Sequence, residues 1–433
     1  MAKDSFYNKR KHYNKKNKVG SRFKYKNVLL VTIGLAILLL MSALISNKLM
    51  TSIKENNGIK ATMDSDIEAT TDDDIEATMD SGLKTTIKGG NSATSSAKIT
   101  FPKDHAFHSA FKNEWWYLNL MVRSATTSNP KITKDTYYLI SFSKINGTSG
   151  LLTSRYETGN NAFNQKTNYP GNLTAKINSS KLLTISYSNN KGISLALKEL
   201  TPLKNGAKRY SLKGTTPEIG TIDLVLTERT VNRSGSNTPL LWGCNGNISV
   251  FAPNDTFYYS IPDLDITGKL TDIDKLSKKV VIGKAWMDHQ WFNSVPSLDW
   301  KGHYWTSQYL TGRSDFSGPH ISLGAVTQIY NNGPRYSYWV KRNINGTNEC
   351  GSNLQITPAS FYSNGYPSAI KLNLSDNQKK IFYKGQLNSF SSNQIFNIPT
   401  KSNFFEPASY ITGNIKNIKY TGLGFFETSI KNK

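Results

Sequence analysis

The chain has 433 residues, a mean hydropathy of −0.46 and a formal net charge of +23. This length allows two or three domains with buried cores, and the charge is uneven: residues 1–46 carry +9, residues 47–99 carry −3 and residues 100–433 carry +17. We expect no nucleic acid and no nucleotide cofactor as partners, because residues 100–433 contain no basic cluster and no G-x-x-x-x-G-K-S/T or G-x-G-x-x-G motif.

The first predicted element is a membrane helix at residues 28–46, which are uncharged and follow a basic tail at residues 1–27. A helix of this length rises about 28 Å, close to the roughly 30 Å of a bilayer core. The basic tail places the N-terminus in the cytoplasm and everything after the helix outside it, as a single-pass membrane protein. A cleaved signal peptide and a buried core helix stay open as alternatives.

Residues 47–99 predict a flexible stalk. An eight-residue repeat runs from Ile59 to Gly90, with one apolar residue opening each unit and acids or glycines closing it. No unit offers an apolar face broad enough to offset the entropy of ordering it. The Asp clusters of this stalk lack the spacing of a calcium loop, so we expect no specific metal site there.

From Ile99 onward the sequence predicts an all-β fold. Short segments alternate apolar and polar residues and are rich in Tyr, Thr, Ile and Phe, with Asn, Gly and Ser between them. We expect strands at residues 136–145, 181–188, 193–200, 221–228, 321–330 and 369–376. About 330 residues exceed one sheet or barrel, so we expect two all-β units, either sandwiches or barrels.

Two stretches, residues 101–122 and 283–305, hold six of the eight tryptophans and four of the six histidines. Such enrichment predicts one composite site to which both stretches contribute. Strand alternation places His289 on the opposite side from Asp288, unless a bulge intervenes.

These stretches resemble the AttH/CrtC-like family, which includes carotenoid 1,2-hydratases and lipocalin-fold pericyclases. The matching residues and segments are Asp104, His105, His108, Glu114-Trp115-Trp116-Tyr117, 244–270, Gly283, Ala285, Trp286, Asp288, His289, Trp291, Trp300 and, more weakly, 410–427. The resemblance implies two consecutive lipocalin-like β units, at residues 100–292 and 293–433, with an apolar cavity near their junction. Gln290 departs from the family, where many relatives have Glu after the Asp-His pair, and this weakens the case for hydratase chemistry.

The residues themselves indicate chemistry on a lipophilic molecule. Adding a proton to an isolated alkene requires a strong acid, and a carboxyl group in an apolar pocket is held protonated. The catalytic candidates are Asp288, Glu114 and His289, and the substrate-binding candidates are Trp115, Trp116, Tyr117, Trp286, Trp291, Trp300, His105, His108 and Tyr259. The alternative is that the Asp288-His289 pair is purely architectural and that His105 and His108 are loop residues.

Other site types have weaker support. His105, His108, His289 and His303 offer zinc-ligand chemistry, but their spacing matches no zinc motif, so we expect no metal and no cofactor. No G-x-S-x-G elbow supports a serine hydrolase. Cys244 and Cys350 cannot be paired from the sequence alone, so both a disulfide and two free thiols stay open.

Three functions fit the sequence. The first is an enzyme that hydrates, isomerises or cyclises an isoprenoid- or polyketide-like molecule after protonating it. The second is a non-catalytic carrier or sensor of such a ligand, and the third is a structural envelope protein. The sequence does not identify protein partners.

Overall fold

A computed structural model describes residues 98–125, 135–229, 239–271, 278–311, 320–376, 378–397 and 403–432. The predicted basic tail, the predicted membrane helix and nearly all of the predicted stalk lie outside these residues and stay predictions. Within the described ranges, no helix has the length and apolar character needed to cross a bilayer.

The first sheet of the described chain has thirteen strands. They are β1 (Asn113–Ser124), β2 (Thr136–Ile145), β3 (Thr148–Glu157), β4 (Ala162–Pro170), β5 (Asn172–Ile177), β6 (Leu183–Ser188), β7 (Ser194–Leu200), β8 (Arg209–Thr216), β9 (Gly220–Glu228), β10 (Leu240–Leu241), β11 (Asn247–Ile248), β12 (Thr256–Thr271) and β13 (Lys278–Phe292). Their order is β4-β3-β2-β1-β13-β12-β9-β8-β7-β6-β5, and β10 and β11 pair with β12. The strand that begins this sheet in the sequence therefore lies beside the strand that ends it.

The second sheet has eleven strands within the described ranges. They are β14 (Trp300–Leu310), β15 (Ile321–Tyr330), β16 (Gly333–Arg342), β17 (Asn348–Gly351), β18 (Leu354–Phe361), β19 (Pro367–Ser375), β20 (Ile381–Ser389), β21 (Ile395–Phe396), β22 (Phe404–Phe405), β23 (Ala408–Ile415) and β24 (Ile418–Thr428). Their order is β17-β16-β15-β14-β24-β23-β20-β19-β18; β21 pairs with β22, and β22 also pairs with β24. The chain leaves the first sheet at Phe292 and enters the second at Trp300.

The alternation of apolar and polar residues along the sequence favours these strands. In β9, alternate side chains are buried and the ones between them are more exposed, as a period of two requires. The strand predicted at residues 136–145 matches β2, and all five other predicted strands are present. The helical elements of the described chain are two short 3₁₀ turns, Lys103–His105 and Trp242–Cys244.

Three clusters of buried apolar residues stabilise the two sheets. The first sheet curls around its own core, which includes Leu118 and Leu224, and the second sheet curls around a core that includes Leu372 and Leu387. A third cluster, with the fully buried Trp286, lies where the sheets face each other. The all-β fold with two consecutive curled sheets is confirmed. The domain limits at residues 292 and 293 stay a prediction.

A disulfide joins Cys244 to Cys350, with a Cα–Cα distance of 5.4 Å. Cys244 ends the 3₁₀ turn that follows β10 of the first sheet, whereas Cys350 lies on β17 of the second. The bond spans 106 positions of sequence and ties the two sheets together. It settles the pairing that the sequence left open.

We expect Cys244→Ser and Cys350→Ser each to lower the free energy of unfolding by about 2–5 kcal/mol, because either change releases a long closed loop in the unfolded chain. The double variant should be no less stable than either single variant, since one missing thiol already breaks the bond. Denaturant unfolding under non-reducing conditions measures this. Wild-type-like midpoints in both single variants would contradict it.

Candidate active site

Pairing of β1 with β13 brings the two motif stretches side by side. Tyr117 lies opposite Asp288, and Trp116 lies opposite His289. Gly283 permits this close approach, because a Cβ atom there would lie 2.0 Å from a main-chain oxygen of β1. The segments that the sequence places far apart therefore lie on adjacent strands.

Alternation then divides the predicted site residues between two faces. Asp288 and Gln290 line a cavity between the sheets, whereas Trp291 belongs to the core of the first sheet. On β1, Trp115 and Tyr117 line the same cavity. The prediction that the two stretches come together is confirmed by this pairing. Their side chains nevertheless form two sites back to back, each with members from both stretches, because consecutive side chains on one strand point to opposite sides. The opposite placement of Asp288 and His289 is as expected.

The site inside the first sheet, which we call the Glu114 network, consists of Asp104, His105, His108, Glu114, Tyr259 and His289. The fully buried Glu114 carboxylate contacts two imidazoles through Oε1, His108 Nδ1 at 2.8 Å and His289 Nε2 at 3.0 Å. The His108 main-chain N–H lies 2.9 Å from Oε2. His289 Nδ1 lies 3.0 Å from the Tyr259 hydroxyl, which in turn lies 2.7 Å from His105 Nδ1.

Aromatic rings enclose this network. The His289 ring stacks on Trp116 with centroids 4.3 Å apart, and the His108 ring stacks on Trp291 at 4.0 Å. Trp116 also donates from Nε1 to the main-chain oxygen of His105 over 3.2 Å. Six predicted substrate-binding or catalytic aromatics and histidines thus pack against one another, rather than around the cavity between the sheets.

Burial and hydrogen bonding fix the charges in the Glu114 network. Burial opposes ionisation of Glu114, but the His108 and His289 hydrogen bonds outweigh it and lower the pKa of this carboxyl to about 2. Burial lowers the pKa of His289 to about 4 and that of His105 well below its ordinary value. At neutral pH the network therefore holds an ionised Glu114 against a neutral His289, and Glu114 has no proton to give.

The proton positions follow from these charges. Neutral His289 donates from Nε2 to Glu114, so its Nδ1 accepts the Tyr259 hydroxyl proton, and Tyr259 accepts from His105 Nδ1. His105 Nε2 is then a buried acceptor that has no hydrogen-bond partner among the described residues. All three hydrogen bonds therefore donate toward Glu114: His105 donates to Tyr259, Tyr259 to His289, and His289 to Glu114.

The Glu114 network also contains the donor set that suits a metal ion best in the described chain. One donor atom each of His108, Glu114 and His289 lies within 4.8 Å of the other two. All three atoms are already joined by hydrogen bonds. The four-histidine set considered from the sequence does not form, because His105 bonds to Tyr259 and His303 lines the cavity between the sheets.

The second site is this inter-sheet cavity, which has a volume of about 540 Å³. Its aromatic walls include Trp115, Tyr117, Tyr258, Phe292, Trp300 and Trp305. Its polar lining includes Asp288, Gln290, His303, Gln328 and Glu427. A cavity of this size and composition is suited to a drug-sized apolar molecule.

Asp288 is 2% exposed, and three donors converge on its carboxyl group. Trp286 Nε1 lies 2.6 Å from Oδ1, and the Ser260 hydroxyl contacts the same oxygen. The Tyr258 hydroxyl lies 2.7 Å from Oδ2. Trp286, predicted to bind substrate, therefore holds the Asp288 carboxyl instead of lining the cavity.

Two further tryptophans fix the direction of these hydrogen bonds. Trp305 Nε1 lies 2.8 Å from the Tyr258 oxygen, and Trp242 Nε1 lies 2.8 Å from the Ser260 oxygen. Because an indole N–H only donates, both hydroxyl oxygens accept from tryptophan and are free to donate to Asp288. Burial nevertheless dominates and raises the pKa of the Asp288 carboxyl to about 7, with a smaller contribution from the charge of Glu427. Asp288 thus exchanges its proton near neutral pH.

The sequence did not single out Tyr258, Trp305 or Glu427, and it considered His303 only as a metal ligand. His303 Nε2 lies 2.6 Å from Glu427 Oε1, and both side chains line the cavity. The sequence does contain one feature that could have identified Glu427 as a candidate: it is an acid within the largely apolar run "GLGFFET". Trp300, a predicted binding residue, lines the cavity, and its role in binding stays a prediction.

Comparison with known proteins agrees with this architecture. The fold is similar to a Nitrosomonas europaea protein assigned as an AttH, with TM-score 0.57, 16% identity and coverage of 77% of this chain and 98% of that one. It is also similar to kievitone hydratase from Nectria haematococca, with TM-score 0.50, 15% identity and coverage of 78% and 94%. These are double lipocalin-like folds, as expected. No curated protein matches the sequence. The AttH-like family model matches residues 92–429, so the chain belongs to the AttH-like family.

Proposed function

We propose that this protein is an enzyme that protonates a lipophilic, isoprenoid- or polyketide-like substrate in the inter-sheet cavity and so hydrates, isomerises or cyclises it. One observation carries the proposal: Asp288, buried in the wall of an aromatic-lined cavity of about 540 Å³, has its carboxyl pKa raised to about 7. A general acid works best when its pKa lies near the working pH.

The walls of the cavity suit the cation that protonation creates. Trp115, Trp300 and Trp305 line the space that faces Asp288. A tryptophan face stabilises a desolvated cation by about 2 kcal/mol. Tyr258, whose hydroxyl donates to Asp288 Oδ2, lines the same cavity beside the acid.

Relatives of the fold give support by analogy. One protein with this fold is a hydratase, so the architecture is compatible with addition of water to a double bond. Gln290 also lines the cavity and carries no acid, which leaves Asp288 as the acid on this face of β13.

A non-catalytic carrier or sensor of an apolar ligand is the second candidate. The three hydrogen bonds that Asp288 accepts fit an acid that is held in place for structural reasons as well. The two candidates share the cavity and differ only in whether the Asp288 proton is transferred.

We also propose that the protein is a single-pass membrane protein, anchored at residues 28–46 with residues 100–433 outside the cytoplasm. The basic tail before that uncharged segment sets this orientation. The Cys244–Cys350 disulfide supports it, because such bonds persist in oxidising compartments.

The Asp288→Asn variant should keep the shape of the carboxyl group but lose its proton. We expect turnover to fall by about 10²–10⁴-fold, the usual contribution of a general acid. Binding of all-trans-retinol, followed by quenching of tryptophan fluorescence, should change little because apolar area dominates affinity. Asp223→Asn is the matched control, since Asp223 is an exposed acid paired with Lys213 on β8. Normal turnover in Asp288→Asn would exclude Asp288 as the acid, whereas binding without any turnover in the wild type would leave only the carrier.

The turnover of the wild-type protein should depend on pH through Asp288. The acid must be protonated to act, and its pKa is raised to about 7 by burial. The rate should therefore fall about tenfold per pH unit above this value. Initial rates at saturating substrate between pH 5 and 9 measure the profile. A rate that rises through this range would exclude Asp288 as the acid.

The orientation can be tested with protease added to intact cells or spheroplasts. We expect it to release a fragment corresponding to residues 100–433, because the predicted stalk precedes them and lies outside the membrane. Immunoblotting against the C-terminal strand detects this fragment. If the fragment forms only after the membrane is lysed, the proposed orientation is wrong.

A further inference from the structure

We propose that His303 and Glu427 form the base that activates water in the inter-sheet cavity, so that the reaction initiated by Asp288 is hydration. This inference rests on the function proposed above and selects one of its three outcomes. It is drawn from the position of the pair on the wall opposite the acid.

The geometry of the pair assigns a role to each member. His303 Nε2 lies 2.6 Å from Glu427 Oε1, so in a neutral imidazole the proton lies on Nε2 and Nδ1 carries the lone pair. Nδ1 has no hydrogen-bond partner within the described part of the chain. Glu427 fixes this tautomer and stabilises the imidazolium that forms, as a carboxylate does beside a catalytic histidine. His303 is the catalytic residue and Glu427 is a positioning residue.

The pair is more accessible than the acid. The side chains of His303 and Glu427 are 20% and 21% exposed, whereas Asp288 is 2% exposed. Both members line the cavity. A water molecule that enters with the substrate therefore reaches the base, while the acid stays in a dry wall that keeps it protonated.

Hydrogen bonds tie the wall that carries the acid to the wall that carries the base. Glu427 on β24 lies opposite Trp305 on β14. Trp305 Nε1 donates to Tyr258 of the first sheet over 2.8 Å, and Tyr258 contacts Asp288 over 2.7 Å. Asp288 therefore belongs to the first sheet and the His303–Glu427 pair to the second, and the Trp305–Tyr258 hydrogen bond joins the two walls.

The His303 ring is also held from its own sheet. The ring of Trp300 lies parallel to it at an interplanar angle of 16°, with centroids 6.2 Å apart. Trp300 is itself fixed by a hydrogen bond from Nε1 to Gln328 Oε1 of 3.0 Å, and Gln328 lies opposite His303 on β15. A base held this firmly costs little reorganisation when it accepts a proton.

The reaction balances without a cofactor. The Asp288 carboxyl gives its proton to one alkene carbon, which leaves a carbocation on the neighbouring carbon and a carboxylate on Asp288. The oxygen of water bonds to the cation, and His303 Nδ1 takes the proton that water loses. Return of that proton through solvent to Asp288 restores both groups, and the net change is alkene plus water to alcohol.

Isotope labelling separates the acid step from the base step. The probe is geranylgeraniol, a C20 isoprenoid alcohol with isolated double bonds, incubated with the protein in D₂O or in H₂¹⁸O and analysed by mass spectrometry. Asp288 alone can add a deuteron and later remove a neighbouring proton, which exchanges hydrogen without adding oxygen. Hydration requires the base as well.

We expect Asp288→Asn to lose both labels, and His303→Gln and Glu427→Gln to keep deuterium exchange while ¹⁸O incorporation falls about 100-fold or more. Added imidazole should restore ¹⁸O incorporation to His303→Ala, which a merely structural histidine would not show. If ¹⁸O incorporation persists in the His303 and Glu427 variants, or wild type exchanges deuterium without gaining ¹⁸O, the base assignment is overturned while the proposed function stands. If Asp288→Asn exchanges deuterium normally, or wild type takes up neither label, both are overturned.

Discussion

The antiparallel pairing of β1 with β13 is the constraint on which both sites depend. It joins strands from opposite ends of the first sheet's sequence, and it places the Trp-rich segments against each other. Gly283 makes the approach of these strands possible, because no side chain fits between its Cα and the backbone of β1. The side chains that β1 and β13 contribute to the two sites are positioned by the register of this pair.

One consequence is that Asp288 and His289, adjacent in sequence and both buried, have opposite electrostatic surroundings. Asp288 receives neutral donors and exchanges its proton near neutral pH, whereas His289 contacts an ionised carboxylate and stays neutral. The Glu114 network is enclosed by aromatic rings and links side chains of β1, β12 and β13 by hydrogen bonds, which suits it to hold these strands in register. The inter-sheet cavity, by contrast, is open and aromatic, which suits it to chemistry.

Much of the fold was predictable from the sequence because strand alternation is a local signal, and the strands at residues 136–145 and 321–330 show this. The residues that face the cavity were less predictable. Tyr259 was predicted to bind substrate, but it is the adjacent Tyr258 that lines the cavity, because the pairing of β12 with β13 decides which of two consecutive tyrosines faces that side. Glu427 reaches the cavity only because β24 pairs with β14. Such long-range pairings, like the Cys244–Cys350 bond, depend on tertiary structure that a single sequence does not display.

The position of β1 also governs the order in which the protein is made. On its one side β1 pairs with β2, which follows it closely in the chain. Its other edge can be covered only by β13, which is synthesised after all the other strands of the first sheet. An emerging polypeptide therefore exposes the apolar, unpaired edge of β1 through most of its synthesis, and such an edge recruits other chains. The first sheet therefore cannot complete its pairing until β13 has been synthesised.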